Sequence, residues 1–348
     1  MGTVGDELDP DDDPIEYYVD ELTFHGKSQR TLDAYERVLR EFESFVTDPT
    51  TTGQAVDSLG SVGRRECMAW VHSLRDDCSP STVATYASYL HRFYSYMTQV
   101  GAFDANPMAL VREEMDESID TDPTRRDVSL DEMRSFLTDI THPLDRSIFV
   151  TLLKTGMRVG ELCNLDLQDL HLDGVPTDGV NPRVAIAGRP DSLFVDNDPA
   201  RGAEHNGETR TASNKRKRDT VIPVDAELKS VLSRWLLARP DARSPAEPVF
   251  CSTTDEWGRR LTPAMVRRTV RMHAQSAGWY RTGASAAENV TPHYFRHFFT
   301  THMRDRTGDR GIVKYLRGDV AQDVIDTYTH DWGGRVRTVY ESNVYTLL

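Results

Sequence analysis

A chain of 348 residues is longer than one ordinary domain needs, so we expect two domains with separate hydrophobic cores. It has no apolar run of about 18 residues, and its acidic start at residues 6–13 is unlike a signal or transit peptide; both features argue against a membrane protein and predict a cytoplasmic one. A formal net charge of -14 argues against a nucleic-acid partner unless the basic residues are concentrated locally.

The basic residues are indeed concentrated, and their clusters lie in the C-terminal two thirds of the chain. They occur at 215–218, between 259 and 271, and between 296 and 317, whereas acidic residues collect near the N-terminus and at 113–122. Only six of the 41 basic residues are Lys, and we expect this Asp-rich, Lys-poor composition of a halophilic-like protein that works in high salt. Because salt screens each phosphate contact, binding to nucleic acid would then depend on bidentate Arg geometry and on shape.

The four cysteines, Cys67, Cys78, Cys163 and Cys251, are scattered, with neither CxxC pairs nor histidines at ligand spacing. This pattern argues against a zinc site and against a disulfide framework. We therefore expect reduced thiols and no metal site.

Residues 14–118 show helical apolar spacing four times. The first two helices lie within 14–45, where Ser28 is a candidate N-cap for the second. A third helix is expected over 62–74, and a fourth begins at Ser79. The pattern predicts a small all-helical module, which composition alone does not distinguish from a generic helical bundle.

Two charged segments flank this module. Residues 1–13 form an acidic tail that we expect to be disordered. Residues 119–127 end a charged stretch that contains Pro123 and lacks an apolar stripe, so they predict an interdomain linker. The second domain would then occupy residues 128–348.

The second domain combines helices with a few short strands. Ser129 and Glu132 have capping-box spacing at its first helix, and an apolar helix runs through 147–153 toward a break at Gly156. Strand candidates follow at 183–187, 193–195 and 220–224. Residues 196–212 are expected to be a polar loop or insertion. The whole chain is therefore predicted to be mainly α with a small antiparallel β-sheet.

A polar pair lies at the start of the next helical segment. Arg158 and Glu161 are at i and i+3, so they share a helix face, while Leu162 and Leu165 have the spacing of a buried face. One interpretation is an exposed ion pair worth about 0.2–0.5 kcal/mol. The other is an Arg fork that a carboxylate holds so that it donates two parallel hydrogen bonds to a phosphate.

A second polar pair follows Thr291 and Pro292, which predict an N-cap and the first position of a helix. On that helix His293 and Arg296 are three residues apart, so an imidazole and a guanidinium project together. A surface pair with ordinary partners is one interpretation. The positive helix N-terminus beside His293 favours the other, an anionic ligand such as phosphate.

Arg158 and Arg296 together are what cleavage of a phosphodiester requires. Two Arg forks can hold the nonbridging oxygens and stabilise the charge of the five-coordinate transition state. Tyr328 is the candidate nucleophile, activated by a lowered pKa or by proton transfer to His293.

Lys215 is the candidate acid that protonates the leaving 5′ oxygen. The basic run that it begins is equally well explained as a patch for the DNA backbone. The candidates for DNA contacts are Arg216, Lys217, Arg218, Arg267 and Arg268.

In their order along the chain, these motifs resemble those of the tyrosine recombinases, the integrase and Xer-type enzymes. Residues 155–162 resemble the first-arginine motif, 293–297 the family's His, two spacers, Arg, His segment, and 326–330 the nucleophile segment. Lys215, counted back from Pro223, matches the family's β-hairpin lysine. The N-terminal helical module is similar to the family's SAM-like core-binding domain.

The resemblance implies a site-specific recombinase whose two domains clamp duplex DNA. Tyr328 would form a 3′-phosphotyrosine link and free a 5′ hydroxyl, and Glu161 would support Arg158. No metal or nucleotide cofactor is implied, because the link keeps its energy for religation. The implied assembly is a homo-tetramer on paired DNA sites and a monomer or dimer when free.

One position departs from the family pattern. Nine residues before the tyrosine the family usually has His or Trp, and this chain has Asp319. An ionised Asp cannot donate to a phosphate oxygen and would repel it. Either Asp319 orients Arg158 or Arg296 as an acceptor, or a neighbour such as Arg317 supplies the missing donor.

Apolar spacing at Val336, Val339 and Tyr340 predicts a short amphipathic tail helix. In the family such a tail docks on a neighbouring protomer, and packing in cis is an equally plain interpretation. Tyr340 and Tyr345 are rival nucleophiles, which rank below Tyr328 because neither has its Thr and His flank.

Other classes of function remain open. A DNA-binding regulator or architectural protein could keep the clamp and lack cleavage, an interpretation that Asp319 supports. A type IB topoisomerase would share the chemistry but would relax DNA as a monomer without paired sites. A metal-dependent nuclease is disfavoured, because no cluster of Asp, Glu and His lies near the arginines at ligand spacing.

Overall fold

The computed structural model of this chain describes residues 12–52, 55–119, 125–177, 179–254, 256–285, 287–319 and 332–348. The chain divides into two compact units, Met1–Pro123 and Thr124–Leu348. Each unit has its own buried apolar core. Within the described residues, no helix has both the length and the apolar character needed to cross a membrane.

The described part of the N-terminal unit is helical. Its helices are α1 (Pro14–Phe24), α2 (Gln29–Thr47), α3 (Pro49–Thr52), α4 (Arg64–Asp77), α5 (Pro80–Gln99) and α6 (Met108–Glu114). The four helices predicted from apolar spacing are α1, α2, α4 and α5. Ser79 caps α5 as expected, since its hydroxyl accepts the N–H of Thr82. Ser28 also stands at the N-cap of α2, but its hydroxyl is bonded to that of Thr31 and caps no backbone N–H.

The C-terminal unit places helices around one buried helix, α8. Its described residues form the helices α7 (Leu130–Thr138), α8 (Pro143–Thr155), α9 (Val159–Asn164), α10 (Val184–Ala187), α11 (Ala226–Ala238), α12 (Pro263–Ser276), α13 (Pro292–Thr307), α14 (Arg310–Arg317) and α15 (Trp332–Asn343). Ser129 and Glu132 form the predicted capping box of α7. Helices α11 and α13 both pack against α8. Helix α8 therefore lies at the centre of the apolar core of this unit.

The sheet of this unit is small and antiparallel, as predicted. Its strands β1 (Leu170–His171), β2 (Ser192–Val195) and β5 (Thr220–Pro223) lie in the order β1-β2-β5. Leu193 pairs with Ile222, and both side chains are fully buried. The strands predicted at 193–195 and 220–224 are therefore confirmed.

The strand predicted at 183–187 is wrong, because this segment forms the helical turn α10. The N–H groups of Ile186 and Ala187 both donate to the carbonyl of Arg183, at 2.9 Å. A four-residue apolar pattern with two alanines suits a helical turn as well as a strand, and periodicity cannot separate them. The ion pairs of Arg183 with Asp169 and Asp196 then anchor the turn.

The predicted polar loop at 196–212 contains a hairpin. Strands β3 (Glu204–His205) and β4 (Glu208–Thr209) pair across Asn206 and Gly207, whose φ angles are 54° and 77°. Asn-Gly is the preferred pair for a two-residue turn with positive φ at both positions. The dipeptide was therefore a readable signal that the loop contains strands.

Helix α15 and the segment after it pack in cis. The side chain of Lys154 is fully buried and pairs with Asp225 and Glu227, each at 2.6 Å, while its ammonium donates to the carbonyl of Tyr345. Tyr340 donates to the carbonyl of Lys154 at 2.9 Å. Of the two interpretations of the tail, packing in cis is the one that this structure contains.

Gly156 ends α8 and directs the chain toward Arg158. Its φ is 62°, in the left-handed region, and its N–H donates to the carbonyl of Leu152 at 3.0 Å. A Cβ at this position would lie 2.3 Å from the ring of Phe299 on α13. Glycine is needed here both for its backbone conformation and for the close approach of the two helices.

We predict that Gly156→Ala lowers the free energy of unfolding by about 2–4 kcal/mol, the sum of left-handed strain and overpacking against Phe299. Gly308 is a matched control, because it ends α13 at φ 63° and has open space where a Cβ would be. Gly308→Ala should cost about 1 kcal/mol. Denaturant unfolding at constant KCl measures both, and equal losses in the two variants would contradict the packing argument.

Candidate active site

Arg158 is held by a buried carboxylate. It stands at the N-cap of α9, where Oε1 of Glu161 accepts from its Nη1 and Oε2 accepts from its backbone N–H, both at 2.9 Å. The side chain of Glu161 is 0% exposed, whereas that of Arg158 is 31% exposed. Of the two interpretations of this pair, the exposed ion pair is therefore wrong. The buried carboxylate of Glu161 fixes the direction of the Arg158 guanidinium and leaves its Nη2 for another partner.

Arg296 projects from α13 toward the same place. It is 2% exposed, and its Nη1 donates to the carbonyl of Gly156 at 2.7 Å and to that of Arg317 at 3.1 Å. These two carbonyls belong to the end of α8 and the end of α14. The guanidinium is thus fixed at the meeting point of three helices, and its Nη2 is left to bind an anion.

Asp319 is the anion that both arginines bind. Its Oδ1 accepts from Nη2 of Arg158 at 3.0 Å and from Nη2 of Arg296 at 2.8 Å. Its Oδ2 forms an ion pair with Nε of Arg317 at 2.9 Å. Of the roles that the sequence left open for Asp319, that of an acceptor orienting both arginines is the one with this geometry.

The described charged side chains around Asp319 have a positive net charge. Arg158, Arg216, Arg296 and Arg317 contribute four positive charges, and Glu161 and Asp319 contribute two negative ones, which leaves +2. Burial, with repulsion from two of these arginines, lowers the pKa of Arg296 to about 9, so it stays protonated at neutral pH. Such a site attracts a further anion.

His293 lies one turn before Arg296 on α13. Partial desolvation, followed by the charges of Arg125 and Arg296, lowers the pKa of His293 below its ordinary value of 6.5. A lowered pKa keeps the imidazole neutral at neutral pH, and a neutral imidazole can accept a proton. Thr291 stands at the N-cap of this helix as predicted, but its side chain makes no capping hydrogen bond.

The basic run at 215–218 divides into buried and exposed residues. Lys215 and Lys217 are exposed, and Arg218 is half-buried with its guanidinium 5.0 Å from the ring centre of Tyr315. Arg216 is fully buried and pairs with Glu161, so the expectation that Arg216 contacts DNA is corrected: its guanidinium has no surface to offer. The sequence showed four like charges in a row and no sign of which side chain turns inward.

Arg267 and Arg268 are both exposed on α12, where the candidate DNA contacts were expected. The opposite face of this helix is buried through Val266, Val270 and Ala274. The exposed pair is therefore presented on a rigid element.

Tyr328, the candidate nucleophile, lies outside the described residues. Its two rivals are described, and both are fully buried: Tyr340 donates to the carbonyl of Lys154 and Tyr345 to that of Leu153. Burial raises the pKa of both phenols well above 10. Neither is exposed to a DNA phosphate in this fold, which removes the two alternatives to Tyr328 that the sequence offered.

Among the described residues, no group of three or more His, Cys, Asp or Glu side chains has the geometry to hold a metal ion. The four cysteines carry free thiols. The described part of the candidate site contains four arginines, the carboxylates of Glu161 and Asp319, and the imidazole of His293.

Known protein families match both units of the chain. The sequence model described as "Phage integrase family" matches residues 204–332, and "Phage integrase, N-terminal SAM-like domain" matches residues 15–101. Together the two matches cover more than half of the 348 residues. They bear out the resemblance that the motifs carry.

Curated relatives match over most of their length. The chain is 26% identical to the tyrosine recombinase XerD of Listeria monocytogenes, over 91% of this chain and 93% of that one. It is 24% identical to the tyrosine recombinase XerC of Thermodesulfovibrio yellowstonii, over 88% and 87%. The matched length therefore includes both units.

Solved structures share the fold at low identity. The Tn1549 transposon integrase in complex with a circular intermediate DNA has a TM-score of 0.64 at 18% identity, over 94% of each chain. A lambda integrase dimer bound to a COC′ core site has a TM-score of 0.62 at 16% identity, over 88% of this chain and 94% of that one. The predicted fold class is confirmed, and the chain belongs to the phage integrase family of tyrosine recombinases.

Proposed function

We propose that this protein is a site-specific DNA recombinase that cleaves and rejoins DNA strands through a 3′-phosphotyrosyl link to Tyr328. The observation that carries the proposal is the convergence of Arg158 and Arg296 on a single anionic oxygen. Family membership and the names of the tyrosine recombinase relatives support it.

The arginine pair is suited to hold the scissile phosphate. Each guanidinium keeps one Nη for internal partners and directs the other at the common anion, so the two forks are set before DNA arrives. Donors that are fixed in advance stabilise charge that develops in a transition state without reorganising during the reaction. Charge on the five-coordinate phosphorus would therefore be stabilised by Arg158 and Arg296.

In this proposal Asp319 stands where a nonbridging phosphate oxygen will bind. Two like charges about 4 Å apart repel by about 4 kcal/mol at an effective dielectric constant of 20, so the carboxylate and the phosphate do not share the place. The phosphate displaces Asp319, which is 26% exposed and can turn toward solvent. Asp319 therefore keeps the arginines converged in the absence of DNA and gives way when DNA binds.

The remaining groups complete the proton balance. Tyr328 Oη attacks phosphorus as its proton passes to the neutral imidazole of His293, and the bond from phosphorus to the 5′ oxygen breaks. The ammonium of Lys215 donates a proton to that oxygen, which leaves as a hydroxyl. The reverse steps rejoin the strand, and no external energy source is consumed.

We assign DNA binding to the helical domain at 14–118 and cleavage to 128–348, joined by the linker at 119–127 and preceded by the tail at 1–13. The lambda integrase is described as a dimer on a core site and as a tetramer on a Holliday junction, which supports duplex DNA as partner and a homo-tetramer on paired sites. We also propose a cytoplasmic location, where the DNA substrate of a bacterial-type recombinase would lie. The exposed Lys217, Arg267 and Arg268, together with the half-buried Arg218, are proposed to contact the DNA backbone.

A non-cleaving DNA-binding protein is the second candidate, and the specific observation in its favour is that Asp319 occupies the anion place between the arginines. It predicts DNA binding without any covalent adduct. The two candidates therefore differ in one measurement.

We predict that Tyr328→Phe abolishes the covalent protein–DNA adduct, because phenylalanine has no hydroxyl to attack phosphorus. Nicked duplexes with a randomised core, incubated at high KCl and analysed under denaturing conditions, reveal the adduct with the unsubstituted protein. Tyr340→Phe is the matched control, since it removes a buried phenol hydroxyl from the same unit and should leave the adduct in place. An adduct that persists in Tyr328→Phe would place the nucleophile elsewhere, and absence from all three proteins would favour the non-cleaving candidate.

We predict that Asp319→Asn binds the duplex at least about tenfold more tightly, because the phosphate no longer has to displace an anion. Fluorescence anisotropy at constant KCl measures the change, with a duplex whose sequence is first selected from the randomised pool as the adduct of the unsubstituted protein. Asp305→Asn is the control for net charge alone, since Asp305 is exposed on α13 and pairs only with its neighbour Arg304 among the contacts described. A similar gain in both variants, or weaker binding in Asp319→Asn, contradicts the displacement.

We predict that the single-turnover cleavage rate is constant near neutral pH and falls as pH drops through the lowered pKa of His293. Below that pKa the imidazole is protonated and cannot take the proton of Tyr328; above it the neutral form is already present. His293→Gln should cleave more slowly and lose this acid limb. An unchanged acid limb in the variant would show that another group controls the profile.

A further inference from the structure

Arg216 is a fully buried arginine within the basic run. Its Nη2 donates to Oε2 of Glu161 at 3.1 Å, and its Nη1 donates to the carbonyl of Leu316 at 3.1 Å. Burial lowers its pKa. A buried ion pair is costly to form and often contributes no more to stability than apolar residues would, so its geometry calls for another explanation.

The contacts of Arg216 join three parts of the candidate site. Glu161 is the carboxylate that also orients Arg158, and Leu316 is near the end of α14, three residues before Asp319. Gly318 lies directly against the Arg216 side chain, so that a Cβ there would be 2.3 Å from Cγ of Arg216. The Arg216 guanidinium thus connects the basic run at 215–218 to Glu161, which holds Arg158, and to the end of α14, which precedes Asp319.

The backbone on either side of Lys215 is also anchored. Asn214, one residue earlier, is buried: its side-chain N–H donates to the carbonyl of Asp196 at 2.8 Å and its Oδ1 accepts from Asn164 at 2.9 Å. Lys217, two residues later, donates its N–H to the carbonyl of Gly318 at 3.5 Å.

Exposure alternates along this loop. Asn214 and Arg216 are buried, whereas Lys215 and Lys217 are exposed. Side chains of an extended segment alternate between two faces, so the inward anchors at 214 and 216 direct the lysines to the other side. The position of Lys215 is therefore set by its two neighbours.

We propose that Arg216 is a positioning residue that fixes the Lys215 loop against Glu161 and the end of α14, so that the Lys215 ammonium reaches the leaving 5′ oxygen. This rests on the proposed function, in which Lys215 is the acid. The planar fork of arginine suits the task, because it binds a carboxylate and a carbonyl in fixed directions, which a single ammonium cannot do.

A displaced Lys215 slows cleavage of one kind of substrate, whereas a general loss of structure slows cleavage of every substrate. As the tyrosine oxygen bonds to phosphorus, the bond to the 5′ oxygen breaks and that oxygen takes its proton from Lys215. If sulfur replaces the bridging 5′ oxygen, the bond to sulfur breaks and a thiolate leaves, which is stable without a proton because a thiol is a far stronger acid than an alcohol. A misplaced acid therefore slows cleavage of the oxygen substrate selectively.

The test uses the full-length protein and two nicked duplexes of one sequence, first captured from a randomised pool as the adduct of the unsubstituted protein. One duplex has oxygen and the other sulfur at the bridging 5′ position. Lys215→Met should raise the ratio of sulfur to oxygen cleavage rates at least about 100-fold, the loss expected for a general acid. Arg216→Lys, which keeps the charge and loses the fork, should raise the ratio at least about tenfold, as expected for a displaced catalytic group.

Arg239→Lys is the matched control. Arg239 is also nearly buried and also donates to one carboxylate and one carbonyl, those of Glu247 and Pro248, but it lies at the end of α11. Its ratio should equal that of the unsubstituted protein. Thermal unfolding of each variant at the assay KCl verifies that the compared proteins are folded.

The outcomes test the role of Lys215 as the acid separately from the role of Arg216 as the positioning residue. If Lys215→Met leaves the ratio unchanged, Lys215 is not the acid, and the proposed chemistry fails together with the role of Arg216. If Lys215→Met raises the ratio but a folded Arg216→Lys does not, Lys215 is the acid and the positioning role of Arg216 is overturned. If Arg216→Lys does not fold, Arg216→Gln, which keeps one donor for each partner, is measured in the same way and decides by the same ratio.

Discussion

Repulsion among four guanidinium groups is the constraint on which the candidate site depends. Arg158, Arg216, Arg296 and Arg317 are brought together where α9, α13 and α14 meet, and two carboxylates make this possible. Glu161 pairs with Arg158 and Arg216. Asp319 pairs with Arg158, Arg296 and Arg317. Each carboxylate pairs with arginines from different segments of the chain. The ion pairs that balance the charge of the arginines are therefore also the contacts that hold these segments together.

The fold class and the order of the functional motifs could be predicted from the sequence, because both depend on local patterns. Apolar spacing located α1, α2, α4 and α5 of the N-terminal unit but not the short α3 and α6, and turn residues located β2 and β5. Short segments are less predictable, because the four apolar residues of α10 suit a strand as well as a helical turn, and the hairpin at Asn206-Gly207 lies in a segment whose polar composition predicts a loop. The inward direction of Arg216 could not be predicted, since it depends on Glu161 and Gly318, which are distant in sequence.

The net charge of -14 and a DNA-binding role are compatible because the two charge patterns act in different environments. Exposed charges are screened within about 8 Å at physiological ionic strength and within about 3 Å in molar salt. Arg296 and Glu161 are nearly or fully buried, so their interactions are screened much less. High salt therefore weakens contacts at the acidic surface more than it weakens the contacts of Arg296 and Glu161.

Glu161 and Asp319 differ in exposure, and this difference gives them different roles. Glu161 is 0% exposed and binds Arg158 from behind through both of its oxygens, so removing it would leave buried positive charge without a partner. Asp319 is 26% exposed and meets the arginines on the side that Glu161 leaves open. A permanent counterion behind the pair and an exchangeable one in front allow the arginines to stay fixed while the anion that they bind changes. A neutral His or Trp, the residues usual in the family at this position, carries no negative charge to balance the arginines, so the proposed release of Asp319 by phosphate depends on the aspartate of this chain.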